Sequence, residues 1–365
     1  MKVAIVAPSL RYIGGQAVQA DLLVRLWQGD PNAEVSFLAV DPPLPILLAW
    51  ARNVPGLRTI LRQPIYFWHL WRGLGRVDIA HIFSASYWSF LLAPSPAWLV
   101  AKLRGKKSII NYRSGEARDH LHRSRIAVRI LRLVDLLAVP SGYLVDVFRE
   151  FGLDAKIVPN IVDTSQFSFR DRKHLRPHLV CTRGFHRYYS VDVVVRAFVE
   201  VQRSFPEAHL DLVGSGPLEG HIRDLVKELG VTGINFAGAA TREQIARFYD
   251  EADIFINASC LDNMPVSILE AFASGTPVVS TDPEGMRYLV DHGRTGLLSE
   301  VGDPMALARN VIRLLKDPDL ASRLAHNAHD ESRRYSWEAV REQWLKLYYF
   351  LSPQTREAIK GRTES

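Results

Sequence analysis

At 365 residues the chain is long enough for two domains, each burying its own core. Hydrophobic content of 47% and charged content of 23% exclude a disordered or fibrous protein, and two distant cysteines, Cys181 and Cys260, exclude a disulfide framework or cysteine zinc site. The cysteines read as buried thiols in a reducing compartment, and the net charge of +6 with a pI near 9.3 favours anionic partners.

The chain enters a strand at once, Val3–Ala7. Its apolar run is too short for a signal peptide, so a cytoplasmic protein is expected. A loop leads to Gly14-Gly15 and a helix with Val18, Leu22 and Leu26 on one face. That loop lacks Gly-x-Gly-x-x-Gly, which argues against an NAD-dependent oxidoreductase. Strand Val35–Val40 follows, and then segment 41–63, rich in proline and apolar residues without a clean period. Further strands are expected at Asp78–Ile82, Ser108–Tyr112 and Leu136–Pro140. Residues 82–101 carry no charge, about the ~20 residues of a membrane-spanning helix. Pro94, Pro96 and several serines instead predict a buried helix followed by a break.

Basic residues crowd the stretch from Lys102 to Arg132, after aromatic runs at Ile65–Trp71 and Tyr87–Leu92. This pattern suits an anionic membrane surface, with localisation on its inner face, and suits equally a solvated basic face over buried helices. Nucleic acid is not expected, because no recognised binding motif accompanies the charge. The polar, basic run Ser168–Pro177 reads as a solvated linker.

A second alternating series begins with strand His178–Thr182. Strand Ala208–Val213 ends at Gly214-Ser215-Gly216-Pro217, strand Ile234–Phe236 follows, and Thr241–Gln244 spells a capping box. Strand Asp253–Asn257 then leads through a turn to the apolar helix Val266–Ala273, with Pro265 near its first turn. Gly275 and Pro277 stop that helix and launch Val278-Val279-Ser280. Asp303-Pro304 starts a later helix, and Ser336 caps a final one. Asp317-Pro318-Asp319 spells a metal-binding Asp-x-Asp but follows a helix, where a turn and cap explain it better. His81, ending a strand, reads as structural.

Residues 257–282 carry the most information, and within them run Asp262, seven residues, Glu270, then Ala-Phe-Ala-Ser-Gly-Thr-Pro-Val-Val. This resembles the Glu-x7-Glu signature of retaining glycosyltransferases of family 4 (glycosyl transferases group 1), which have the GT-B fold. Residues 156–167, Lys-Ile-Val-Pro-Asn-Ile-Val-Asp-Thr-Ser-Gln-Phe, resemble the element that closes the family's first domain, with Ile161 where glycine is usual. The resemblance implies an α/β protein of two doubly wound, Rossmann-like domains facing across a cleft. Residues 1–167 would form the acceptor-side domain, with a C-terminal helix at about 337–365 packing back on it. Residues 168–336 would form the nucleotide-sugar domain.

The implied activity is transfer of a sugar, with retention, from a nucleotide diphosphate sugar to a glycan or lipid-linked acceptor. The implied setting is cell-surface polysaccharide or glycolipid assembly, without metal or other cofactor. By the same resemblance Glu270 binds the donor ribose and Asp262 orients its sugar. Arg183 faces the diphosphate, and the turn Asn263-Met264-Pro265-Val266 offers it backbone amides, with Gly14, Gly15 and Gly214 admitting the ligand close to backbone. Arg187, in the loop of Arg183, is a second candidate to reach the phosphates in place of the family's lysine. Arg183, Asp262 and Glu270 are the residues expected to act in catalysis.

Two positions depart from the family pattern. Tyr189 stands where a phosphate-binding lysine is usual, and Arg113 aligns with a histidine near the donor sugar. Glu116 is the nearest acid on the acceptor side. These departures keep open a catalytically silent homologue that binds sugar nucleotide or glycan, and a GT-B sugar-nucleotide epimerase also remains open.

Overall fold

The computed structural model describes residues 1–9, 14–45, 48, 50, 54 and 56–352. Strands β1 (Lys2–Ala7), β2 (Glu34–Ala39), β3 (Ile79–Ser84), β4 (Lys107–Tyr112), β5 (Leu136–Val139) and β6 (Lys156–Ile157) form one sheet in the order β2-β1-β3-β4-β5-β6. Strands β7 (His178–Cys181), β8 (His209–Val213), β9 (Ile234–Gly238), β10 (Ile254–Asn257), β11 (Val278–Thr281) and β12 (Leu297–Ser299) form a second, ordered β12-β11-β10-β7-β8-β9. Every pairing in both sheets is parallel. Helices on both faces of a parallel sheet force its inner strands to be apolar on both sides. Val3 to Ala7 are accordingly all buried, as are Ile254 to Asn257.

The chain divides into two units, Met1–Ile161 with the chain from Val340 onward, and Val162–Ala339. Strand reversals occur beside β1 in the first and β7 in the second, the topological switch points at which doubly wound sheets bind ligands.

Local chemistry accounts for the element ends. The Thr241 hydroxyl accepts the Gln244 N–H and the Gln244 side chain returns to the Thr241 N–H at 2.8 Å, completing the capping box. Asp303 and Asp317 accept the Ala306 and Leu320 N–H groups at 2.9 and 3.0 Å, each followed by proline in the first turn. The Asp-x-Asp spelling is therefore a helix start. Residues 82–101 divide into the end of β3 and two helices, Tyr87–Leu92 and Pro94–Leu103. No helix among the described residues is long and apolar enough to cross a membrane. Part of segment 41–63 and residues 353–365 lie outside the described residues, while Leu57–Leu74 and Trp337–Leu351 are helices.

Two expectations are corrected. The 168–177 run is not a solvated tether, because Arg172 is buried and donates to the carbonyls of Ala252, Tyr249, Ser274 and Gly275 at 2.6–3.0 Å. Arg170 and Arg176 close on the buried Asp253. The carbonyls at the ends of two helices and one buried carboxylate demand cations, and this segment supplies them. Cys260 is exposed rather than buried, its N–H held by the Tyr188 carbonyl at 2.9 Å.

In the first unit His81 lies fully buried, 2.8 Å from the Tyr348 hydroxyl and 3.0 Å from the Asn111 amide. It joins β3 to the C-terminal helix as a structural group. Burial, with the Arg113 charge adding to it, pushes its pKa down to about 3, and burial pushes His120 down to about 4. Unfolding frees both rings to take up protons below an ordinary histidine pKa of about 6.5. Stability is therefore expected to fall as pH drops from about 6.5 toward 5, by up to about 1.4 kcal/mol per unit for each ring. Urea unfolding followed by tryptophan fluorescence at several pH values checks this, and a flat profile contradicts it.

Candidate functional site

Parallel pairing of β7 with β10 sets the loops after these two strands side by side. The first carries Thr182 and Arg183; the second carries the turn with Asp262 and then the helix Val266–Ala273. Arg183 and Asp262 form an ion pair, and Arg183 Nη1 donates to Ser267 Oγ at 3.0 Å. The Arg183 guanidinium also stacks over the Tyr189 ring, 3.9 Å from its centroid. Arg183 is only 8% exposed. Burial opposes its charge, but Asp262 outweighs this and holds its pKa above the ordinary arginine range.

Glu270 projects from the next turn of the same helix and is half-buried. The fully buried Tyr249 hydroxyl lies 3.2 Å from Glu270 Oε2, 2.7 Å from the Ser267 carbonyl and 2.6 Å from Thr182 Oγ1. Burial raises the Glu270 pKa to about 7, while the Tyr249 hydrogen bond and the Arg183 charge pull it down. Arg183, Asp262 and Glu270 thus belong to one connected cluster.

Pro265 occupies the N-cap position rather than the first turn, with φ −67° and ψ 127°, and no side chain caps the helix. The Ile268 N–H turns back to the Pro265 carbonyl at 3.2 Å, and the amides ahead of it are where a helix start meets water or an anion. Asn263 and Met264 are buried beneath the turn, and the Asn263 N–H donates to Asp262 Oδ1 at 2.8 Å. Val266 is half-buried. At the far end Gly275 takes φ +65°, the left-handed stop that glycine favours.

Gly214 lies against the Arg183 backbone, where a Cβ would run into the Arg183 carbonyl oxygen. The loop after β8 can therefore cross the loop after β7, and the Phe185 N–H reaches the Ser215 carbonyl at 3.0 Å. Arg187 is exposed and turned onto the hydroxyl and ring of Tyr188. In the first unit Gly14 precedes the helix Gly15–Leu26, and a Cβ on either glycine would meet nothing within 4 Å. Residues 10–13 of that loop lie outside the described residues. Arg113 is half-buried over Phe83, 5.0 Å from its ring centroid, and burial lowers its pKa to about 9. Glu116 is half-buried before the helix Ala117–Arg123.

Sequence reading missed Tyr249, Ser267 and Gly285. Tyr249 belongs to the helix Arg242–Glu251 and carries no motif. A Cβ on Gly285 would come within 2.6 Å of Asn263 Cα, so the glycine lets a distant loop press on the Asp262 turn.

Two doubly wound units with this cluster at the strand ends define a GT-B glycosyltransferase fold. Residues 13–166 match the family described as Glycosyltransferase Family 4, and residues 176–317 match Glycosyl transferases group 1. The chain belongs to this family of GT-B group 1 glycosyltransferases. It is 31% identical over 167 residues to the lipopolysaccharide core biosynthesis glycosyltransferase LpsE of Rhizobium meliloti, covering 45% of this chain and 46% of LpsE. It is 30% identical over 264 residues to a D-inositol 3-phosphate glycosyltransferase of Corynebacterium jeikeium, covering 66% of this chain and 63% of that one. The chain thus spans about half the length of the curated relatives it matches. Among solved structures, Anabaena HepE in complex with UDP and glucose superposes with a TM-score of 0.74 at 16% identity, over 95% of this chain and 99% of HepE. Sucrose-phosphate synthase from Thermosynechococcus elongatus gives 0.77 at 20% identity, over 96% and 98%.

The raised Glu270 pKa has a sign that can be tested. The folded state holds its proton more tightly than the unfolded chain, so stability falls as pH rises from about 4.5 through 7. Wild type is expected to lose on the order of 1–3 kcal/mol between about pH 5 and 8 from this group. A Glu270→Gln variant should lack this contribution, so the stability of wild type relative to the variant should fall by that amount over this range in chemical denaturation.

Proposed function

We propose that this chain transfers a sugar from a nucleoside diphosphate sugar to a glycan or lipid-linked acceptor, with retention of configuration and without a metal ion. The observation that carries this is the joining of Arg183, Asp262 and Glu270 beside an uncapped helix start. Breaking the donor's glycosidic bond puts negative charge on the diphosphate while the sugar gains oxocarbenium character. A held guanidinium and a helix N-terminus aimed at that charge lower the barrier directly. Arg183 would meet the diphosphate with the amides near Val266, and Arg187 would swing from Tyr188 to join it. Glu270, once ionised, would accept the ribose hydroxyls, and Asp262 would orient the donor sugar. The acceptor hydroxyl would attack on the face the leaving group departs from. A diphosphate oxygen can take its proton, so no carboxylate nucleophile is required.

Uridine diphosphate sugars are the first donors to try, because HepE was solved with UDP and with UDP-glucose. LpsE and the alpha-monoglucosyldiacylglycerol synthase of Acholeplasma laidlawii motivate a cell-surface glycan or glycolipid setting. Product NMR on the wild type should show retained anomeric configuration, with turnover unchanged by EDTA. Arg183→Ala should lower kcat/KM by about 100-fold or more, roughly 3 kcal/mol of transition-state stabilisation. Tyr189 in the usual lysine position favours a second reading, a silent homologue. Tight UDP binding without turnover of any donor would select it.

We further propose that the acceptor side docks on an anionic membrane surface from the cytoplasmic face. Helices Leu57–Leu74 and Pro94–Leu103 pack together and expose Trp68, Trp71, Leu99 and Leu103. Arg72 and Arg104 lie over Trp68 and Trp71 at 5.7 and 4.8 Å, so apolar and basic groups share one face. Elsewhere the basic stretch is partly neutralised, with Lys107 on Asp135 and Arg118 on Glu150. Co-sedimentation with phosphatidylglycerol vesicles should fall at least about fivefold in a Trp68→Ser/Trp71→Ser variant. Equal sedimentation of both proteins would leave a solvated basic face.

A further inference from the structure

At the amino ends of β7 and β8, away from the candidate donor site, three ligating side chains converge. His178 opens β7 and pairs in register with His209, which opens β8, and Asp211 follows two residues later on the same face of β8. His178 Nε2 lies 2.7 Å from Asp211 Oδ2, and His209 Nε2 lies 3.4 Å from Asp211 Oδ1. All three ligand atoms fall within 4.8 Å of one another. Asn235, opposite Asp211 on β9, donates to Asp211 Oδ1 at 2.7 Å and steadies the carboxylate from behind.

We propose that His178, His209 and Asp211 form a binding site for a divalent transition metal of the zinc class. Two imidazoles and one carboxylate are the donor set that zinc takes with three protein ligands and one solvent molecule. Ligand atoms in tetrahedral zinc sites stand roughly 3.3 Å apart, from bonds of about 2.0–2.1 Å. The two histidines reach different oxygens of Asp211, so closing on one ion takes side-chain adjustment within the 4.8 Å that bounds the ligand atoms. Access is open, because the His209 side chain is 44% exposed and that of His178 19%, against 5% for Asp211. Binding replaces the His178–Asp211 hydrogen bond with two bonds to the metal, the imidazole proton moving to Nδ1.

The ion would clamp β7, the strand that leads to Arg183, onto its neighbour β8. Arg183 lies five positions after His178, about 16 Å of extended chain. The metal would therefore support the second unit without touching the donor, and the proposal stands apart from the glycosyl-transfer chemistry.

The test uses tag-free full-length protein, zinc chloride and isothermal titration calorimetry with thermal unfolding in parallel. Wild type should bind one zinc per chain and gain about 5 °C in Tm at a hundredfold excess over Kd, reversed by EDTA. His209→Ala removes an exposed side chain and should fold normally while losing the zinc-dependent shift. His221→Ala, outside the cluster, should keep it. No saturable binding in wild type, or an undiminished shift in both His209→Ala and Asp211→Asn, overturns the site.

Discussion

A guanidinium taken out of water has to find an anion, hydrogen-bond acceptors and a surface for its flat face, or its burial is strongly unfavourable. Arg183 finds all three in Asp262, Ser267 and Tyr189. Tyr189 belongs to the loop of Arg183 itself, while Asp262 and Ser267 lie in one turn and helix far along the chain, so pairing this one cation ties the loop after β7 to the turn and helix after β10. Gly214 and Gly285 leave room for the neighbouring loops to close over that tie. The electrostatics of the site descend from it, including the restraint that Arg183 exerts on the Glu270 pKa.

Tyr189 changes the character of that cation. A lysine at this place would add a second positive charge beside Arg183, whereas a phenol ring adds a polarisable face and no charge. Stacking on an aromatic ring suits a planar guanidinium and holds it in one orientation. The site therefore concentrates its positive charge in one restrained, nearly buried group, already paired with Asp262. An anion arriving there would compete with Asp262 for the same guanidinium.

The basic run 168–177 shows how composition misleads without partners. Polar and cationic residues between two domains look solvated because charges prefer water. Here the ends of the helices Arg242–Glu251 and Val266–Ala273 present carbonyls, and Arg172 donates to both ends, joined by Arg170 at the Ala252 and Ser274 carbonyls. The same segment thereby braces the far end of the helix whose start forms the candidate site. Cys260 was misread for a related reason: an apolar thiol favours burial on average, but its neighbours place it at a surface turn.

Much was legible from local pattern. Apolar strands of four to six residues alternating with helices specify parallel sheets, because such strands must be covered on both faces. Caps at Thr241, Asp303 and Asp317 and the glycine stop at Gly275 are short-range, so their residues announce them. The interval from Asp262 to Glu270 is likewise local, a turn and two helical turns. What the tertiary structure alone decided is who faces whom. Arg183 is 79 positions from Asp262, and Tyr249 is 21 from Glu270, contacts set by which strands are neighbours in the sheet. Strand order and loop crossing are properties of the packed whole, so the stacking of Tyr189 on Arg183 and the meeting of His178, His209 and Asp211 had no local signature to read.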